Sequence, residues 1–467
     1  MADTTDLNQP QFFLDDTWIA DSIRLQRVWH RAQKRSEPVL RGTEPWEGDL
    51  VVGYGSVLFH EGKFKMWYMV WPRLEATCRC VAYAQSDDGI NWHKPSLGVV
   101  ALDGDTNNNI VLKPDVGYVD CVGVIDDPDD AEWPLKMLYW HGIFREPDQT
   151  GICAARSKDG IHWDMQPGLV LPRHWGDRTT FMPHRDNGKF VVFGRHRPLK
   201  NYYDCRVVSR TESEDLVHWS EPELILKPDL SDDAALEIYS ASGFRWKSLY
   251  LGCIERMHMV PDVLDSEIWF SHDGRQWQRS QYRPAFIERS PEPAFDSGWV
   301  STTCNAPIPS GEELLIHFSG RTHGHAAHRG VALRIGAIGL ATLRLDGFCS
   351  LQATEREGWL VTEPMRWCES ELRLNADPRR DIRTHPKRTT GEVLVEVRTD
   401  EGTPIEGFTF DDCIPLRDNT ACAKSADATS PVMWRNEKRM ADLAGHTVRL
   451  AFRLRDAHLY TFRAGND

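Results

Sequence analysis

An all-β architecture, a five-bladed β-propeller followed by a C-terminal β-sandwich, is what this 467-residue sequence predicts, and three observations carry the prediction. One phrase is written four times: Ser86-Asp87-Asp88-Gly89-Ile90-Asn91-Trp92, Ser157-Lys158-Asp159-Gly160-Ile161-His162-Trp163, Ser213-Glu214-Asp215-Leu216-Val217-His218-Trp219 and Ser271-His272-Asp273-Gly274-Arg275-Gln276-Trp277. A fifth, degraded copy ends at Asp346-Gly347-Phe348, and the closing aromatics recur 71, 56, 58 and 71 residues apart, the length of a blade of about four strands. After Phe348 the period stops and strict apolar alternation takes over.

The repeated phrase has the chemistry of a tight turn. Asp supplies a short polar side chain and Gly a residue free to take φ > 0, which turns between antiparallel strands favour. Each copy follows an apolar or alternating run such as Val81-Ala82-Tyr83-Ala84 or Glu267-Ile268-Trp269-Phe270, so each closes a strand pair. The Trp three residues on can fold back toward the next sheet. Trp92, Trp163, Trp219 and Trp277 are therefore expected between adjacent blades and largely buried.

Residues 1–45 hold Phe12, Phe13, Trp18 and an Arg-rich amphipathic stretch from Ile23 to Arg35, expected to form a strand and a short helix that dock on the propeller. The propeller itself is assigned to 46–351. Its blades begin at Trp46, Asp120, Asp177, Glu237 and Asp296, and each has an apolar second strand, such as Phe64 to Val70 or Leu314 to Phe318. Residues 352–467 read as antiparallel strands of a sandwich, because Glu392 to Arg398 and Val448 to Arg455 alternate with period two.

Composition narrows the function. The balance of 55 basic against 69 acidic residues, net −14, argues against nucleic acid as a partner. No apolar run is long enough to span a membrane and no leader is visible, so a cytoplasmic location and no membrane partner are expected. The eleven Cys are scattered singly and read as buried free thiols. Cys78-Arg79-Cys80 lacks a second pair for a zinc site, and neither a cofactor nor a bound metal is expected. Homo-oligomerisation stays open.

In a propeller the first strand of each blade starts, and the second ends, on the same face. First-strand starts offer Glu47 or Asp49, Asp120, Asp177, Glu237 and Asp296. Second-strand ends offer Arg73, His141 and Arg145, then Arg195, His196 and Arg197, then Glu255, Arg256 and His258, and last Arg321, His323 and His325. Carboxylates facing one another suit cleavage of a glycosidic bond, one protonating the leaving oxygen and another activating water or attacking the anomeric carbon. Glu47, Asp120, Asp177, Glu237 and Asp296 are the catalytic candidates. Asp49, Arg73, His141, Arg195, His196, Glu255, Arg256, His258, Arg321, His323 and His325 are the substrate-binding ones. The cationic residues either pair with the carboxylates or hold an anionic substrate. His317, His323, His325 and His328 form the densest His group, read as substrate contacts rather than metal ligands.

With the Ser-x-Asp-x-x-x-Trp turn, its Leu form at Ser213 to Trp219 above all, five blades and a C-terminal sandwich, the chain resembles the furanosidase-type glycoside hydrolases of families 32 and 43. The resemblance implies a glycosidase-like pocket acting on a carbohydrate. It brings no Trp-Met-Asn-Asp-Pro, Arg-Asp-Pro or Glu-Cys motif; Pro45-Trp46-Glu47-Gly48-Asp49 and Gly176-Asp177-Arg178 are the nearest pieces. The chain is also similar to the inverting glycoside phosphorylases of family 130, in which phosphate replaces water, and a non-catalytic sugar-binding propeller is the third reading.

Overall fold

A computed structural model describes residues 6–72, 79–326, 335–378, 391–420 and 428–465, and they are almost entirely strand. They divide into two compact units, one of residues 32–308 and 315–342, the other of residues 1–31, 309–314 and 343–467.

The first unit is a succession of five antiparallel meanders of four strands. The first sheet runs Val51–His60, Lys63–Val70, Cys80–Ser86, Ile110–Leu112, and the second Tyr118–Asp126, Leu135–Gly142, Gly151–Ser157, Trp163–Met165. The third runs Thr180–Phe181, Phe190–Gly194, Val208–Ser213, Glu223–Leu226, and the fourth Leu236–Ala241, Leu249–His258, Val263–Ser271, Trp277–Arg279. In the fifth, Trp299–Thr302, Glu313–Arg321 and Gly336–Arg344 take their outer strand from far upstream, Gln33–Lys34 and Leu40–Arg41. One helix, Arg197–Tyr203, follows the second strand of the third sheet, where the sequence reading had none.

Each sheet is tied to the next through its first strand. Val124 N–H donates to Ser56 Oγ (2.9 Å), Asp126 N–H to the Pro183 carbonyl (3.0 Å), and Thr180 Oγ1 to the Ala241 carbonyl. Leu264 bridges to Trp299, and Leu50 bridges to Gly336, which brings the fifth sheet back to the first. Apolar side chains fill the gaps, with Trp67, Trp175 and Trp269 at most 2% exposed.

The repeated turns share one set of bonds. In each, the Ser hydroxyl accepts the N–H three residues on (2.8–2.9 Å), and one Asp oxygen accepts the two N–H groups two and three residues on (2.7–2.8 Å). Residues 89, 160 and 274, all Gly, have φ of 71°, 82° and 71°, and Leu216 takes the same left-handed conformation at 63° without being Gly. The closing Trp residues do pack toward neighbouring sheets: Trp163 on Trp67 of the first, Trp277 on Phe193 of the third, Trp92 on His317 of the fifth. All four closing Trp residues are part-buried rather than fully buried.

The second unit has two antiparallel sheets. One contains Gln26–Trp29, Cys349–Ala353, Ala457–Ala464, Leu372–Asp377 and Gln11–Phe12; the other contains Ile19–Ile23, Gly358–Thr362, Thr447–Arg455 and Glu392–Thr399. Leu360, Trp367, Leu374, Val395, Phe452 and Phe462 share one core between them. Residues 1–45 thus do not act as one docking segment: 11–29 supply three strands to this unit, and only 33–41 pair with the five-sheet unit. The stretch read as a short helix is extended, since its backbone groups find partners on Cys349–Ala353 and Gly336–Arg344. Among the described residues no helix is long and apolar enough to cross a membrane. Of the cysteines described, all are free and most are buried; Cys78 lies outside the described residues.

Two buried imidazoles make stability pH-dependent. Burial pushes His317 down to about 4 despite its bond to the Gly89 carbonyl. Burial, then His458 and Arg344, push His30 down to about 4 as well. Unfolded, each has an ordinary value of about 6.5, so below that pH the unfolded chain takes up protons that the folded chain refuses. Stability is complete above about 6.5 and falls toward pH 4, by on the order of 3 kcal/mol per imidazole. Urea unfolding at pH 7.5 and 5 should show this loss, and His317→Gln, which can keep a donor to Gly89, should remove part of it, the lowered His184 and His458 contributing to the remainder.

Candidate functional site

The first strands of the first, second and fourth sheets each break register at one point, and each break delivers a side chain to one cleft. The shift between Val52 and Ser56 frees Gly53-Tyr54-Gly55, that between Asp120 and Val122 frees Cys121, and that between Ile238 and Ser240 frees Tyr239. An extra residue in one strand bends it and re-aims its neighbours. Gly55 is required at the first of these, because a Cβ there would lie 1.9 Å from the Trp67 carbonyl oxygen. At the second, Cys121 adopts φ 44°, and its N–H donates to Asp120 Oδ1 (3.0 Å).

Two adjoining cavities result. The smaller, about 160 Å³, is lined by Tyr54, Trp71, Arg79, Asp120, Asp177, Tyr239, Trp299, Arg321, His323 and His325, with Leu50, Val52 and Met69. The larger, about 370 Å³, shares Asp177, Tyr239 and His325 with it and adds Arg195, Arg197, Asn201 and Arg206. Asp177 therefore stands where the two meet.

Ion pairs order the cleft. Arg79 pairs with Asp120 and lies 4.0 Å over Trp71; Arg195 pairs with Asp177 and lies 4.7 Å over Tyr239; Arg206 pairs with Glu237. Behind Tyr54, Arg178 stacks at 4.0 Å on its ring and forms a two-pronged pair with the buried Glu255. Burial raises the Asp120 carboxyl above its ordinary value, with Arg79 opposing, Asp177 adding to the rise and Arg321 opposing more weakly. Desolvation acts the same way on Asp177, but Arg195, with Arg197 and Arg79, outweighs it and leaves that carboxyl below its ordinary value. Burial lifts the Tyr54 and Tyr239 phenols.

The His323 to His325 turn is fastened from the fourth sheet. Asp262 Oδ1 accepts the N–H of His325 (3.1 Å), and Asp262 Oδ2 that of Ala326 (2.9 Å). Gly324 permits this approach, since a Cβ there would sit 1.7 Å from the Asp262 carbonyl oxygen. His325 then stacks near Tyr239 (5.3 Å) and Trp299 (5.9 Å).

Of the five predicted carboxylates, Asp120 and Asp177 meet in the cleft, and Glu237 stands behind Arg206. Glu47 and Asp296 do not. Glu47 is fully buried and accepts from Tyr68 Oη (2.6 Å), Lys94 Nζ (2.5 Å) and the N–H groups of Thr43 and Glu44 (2.9 and 3.1 Å), while Asp296 is buried against Lys34. Both point sideways into the sheet packing, each neutralised by a lysine. Asp49 is exposed and offers the cleft no side chain.

Of the binding candidates, Arg195, Arg321, His323 and His325 line the cleft. His141 bonds the Val116 carbonyl (2.8 Å), His196 packs on His174 and Trp175, and Arg256 and His258 pair with Asp265. Glu255 is a support beneath Tyr54, Arg145 lies against Phe144, and His317 is buried under Trp92. Arg73 and His328 lie outside the described residues. Among the described residues no group of three or more His, Cys, Asp or Glu is placed to hold a metal ion. Tyr54, Trp71, Arg79, Arg206, Tyr239 and Trp299 were not foreseen; Gly-Tyr-Gly inside an apolar strand was the one signal available, marking a bulge.

No family model matches the sequence, and no curated protein matches it. Among solved structures, the chain is similar to a β-1,2-mannobiose phosphorylase from Listeria innocua in complex with β-1,2-mannobiose (13% identity, 69% of this chain and 97% of that one, TM-score 0.48). It is also similar to an N-acetylgalactosamine deacetylase from F. plautii in complex with blood group B trisaccharide (14%, 70% and 97%, 0.47) and to a glycosyl hydrolase from Bacteroides ovatus (12%, 68% and 94%, 0.46).

Glu47→Gln tests the separation of support from site. Breaking a buried ion pair leaves Lys94 uncompensated, so unfolding free energy should fall by about 3 kcal/mol, read as a lower denaturant midpoint, while ligand affinity at the cleft stays unchanged. A variant of undiminished stability but altered affinity would return Glu47 to the site.

Proposed function

We propose that the five-sheet unit is a five-bladed propeller whose cleft cleaves glycosidic bonds, with Asp120 as general acid and Asp177 as the base or nucleophile. The observation that carries this reading is the pair itself: two carboxyls in one cavity whose surroundings push their proton affinities apart. A carboxyl raised by burial keeps the proton it must deliver to a leaving oxygen, and one lowered by an adjacent guanidinium stays ionised to act on water or on the anomeric carbon. Trp71, Tyr239 and Trp299 supply flat apolar faces suited to the C–H faces of a sugar ring, and the Arg79 and Arg195 pairs fix the carboxylates in place. The two-sheet unit, read as a sandwich, is structural.

Phosphorolysis is the second reading, favoured by the larger cavity, where Arg197 and Arg206 join Arg195 on the far side of Asp177 from Asp120. Phosphate there would take the place of water.

The test is a panel of aryl glycosides and oligosaccharides, with and without phosphate, against wild type, Asp120→Asn and Asp177→Asn. Each amide should lower turnover by ~10²–10⁴ while leaving binding largely intact. The pH profile of kcat/KM should fall on the alkaline side through the raised Asp120 and on the acid side through the lowered Asp177. Asp120→Asn should therefore flatten the alkaline limb for substrates whose leaving group needs no proton. Turnover only with phosphate selects the second reading, and unchanged rates in both variants would remove the pair from the chemistry.

A further inference from the structure

Two arginines, Arg79 and Arg321, line the smaller cavity, and Arg195 lines the larger one. Arg79 pairs with Asp120, and Arg195, at the border, with Asp177. Arg321 has no carboxylate partner among the described residues. Its side chain comes from the end of the second strand of the fifth sheet and is 8% exposed. The guanidinium packs against two aromatic rings, 4.1 Å from the Trp299 centroid and 4.6 Å from that of Tyr54, and its Nε is buried without a hydrogen-bond partner. The Tyr54 hydroxyl and Trp71 Nε1 in the same cavity are likewise buried and unbonded.

We infer that the sugar seated between Asp120 and Asp177 is acidic, and that Arg321 holds its ring carboxylate. This rests on the glycoside-cleaving reading of the cleft and names its substrate class, a uronosyl residue. Packed against two rings, the guanidinium still has an edge to offer, the planar fork that matches a carboxylate. Among the described residues no carboxylate lies within ion-pair distance of the Arg321 guanidinium, and an acidic sugar ring would supply one. The position also separates roles: Arg321 shares the small cavity with both carboxylates, whereas the cations on which phosphorolysis would draw lie in the larger one.

Binding, which needs no turnover, is the test. Glucuronate, galacturonate and mannuronate, the corresponding neutral hexoses, and inorganic phosphate are titrated calorimetrically into wild type, Arg321→Gln, Arg321→Lys and Asp177→Asn. At least one uronate should bind wild type ~10²-fold more tightly than its neutral hexose, as expected for a desolvated charge pair. Arg321→Gln should abolish that preference while leaving neutral-hexose affinity within a few-fold, and Arg321→Lys should restore part of it. Asp177→Asn should retain the preference, so a failed catalytic assignment and a failed Arg321 assignment give different results. Equal affinity for uronate and hexose, or an Arg321→Gln protein that still prefers uronate, overturns the inference. So does Arg321-dependent binding of phosphate that is tighter than that of any uronate, which would make this a free-oxyanion site. Should Arg321→Gln fail to fold, the wild-type ranking of uronate, hexose and phosphate decides alone.

Discussion

Each marked turn closes on an aspartate that accepts two consecutive backbone N–H groups, with a serine hydroxyl accepting the one before. That carboxylate spares the turn from depending on solvent for its backbone donors, and fixes the step from third to fourth strand in one geometry. The bonds hold the Asp88 and Asp215 carboxyls well below the ordinary range, so they persist at any pH at which the protein is otherwise stable. The same device recurs in four of the sheets, and the fifth is completed instead by Gln33–Lys34 and Leu40–Arg41. The cleft draws its residues from all five sheets.

Regularity alone would not make a site. An unbroken first strand alternates its side chains between the faces of its sheet, and in the fifth sheet such a strand still brings Trp299 to the cleft. Bulges at Tyr54, Cys121 and Tyr239 break the alternation, at the cost of Cys121 in a left-handed conformation and glycines at 53 and 55. The polar groups so delivered are then ordered by charge. Buried carboxylates and guanidiniums are costly singly and tolerable in pairs, as with Asp120 and Glu255, each of which faces an arginine; the exposed Asp177 and part-buried Glu237 are paired likewise. Arg321 stands out against that pattern, its cation shared with two rings rather than with a carboxylate.

Of the carboxylates read at the starts of first strands, Asp120 and Asp177 line one cavity, whereas Glu47 and Asp296, which occupy like positions in the chain, do not. What separates them is a lysine: Lys94 reaches Glu47 from the segment between the last two strands of the first sheet, and Lys34 reaches Asp296 from the strand that completes the fifth. Neither lysine is near its partner in sequence. Similarly His196, His141 and Arg256 sit at the second-strand ends where binding residues were sought, yet each is turned away by a local partner, Trp175, the Val116 carbonyl or Asp265.

By itself the sequence determined the all-β class, the four Ser-x-Asp turns with their spacing, and the presence of a C-terminal β-unit, because these rest on local chemistry: alternation, Asp-Gly turns and an aromatic at fixed offset; the fifth copy, Asp346 to Phe348, instead leads into Cys349–Ala353 of the second unit. It also placed an acidic and an arginine-rich set of residues at the same ends of successive strands. Only the tertiary structure decided which of them face one another. The residues before the first meander pair with strands more than 300 positions away, splitting between two units, and this is a matter of which sheet edges remain unpaired once the rest has folded. The choice of Asp120 and Asp177 over Glu47 and Asp296, and the isolation of Arg321, follow from ion pairs and ring contacts across different sheets. No pattern along the chain encodes such pairings, since their energy depends on distance and burial rather than on spacing in sequence.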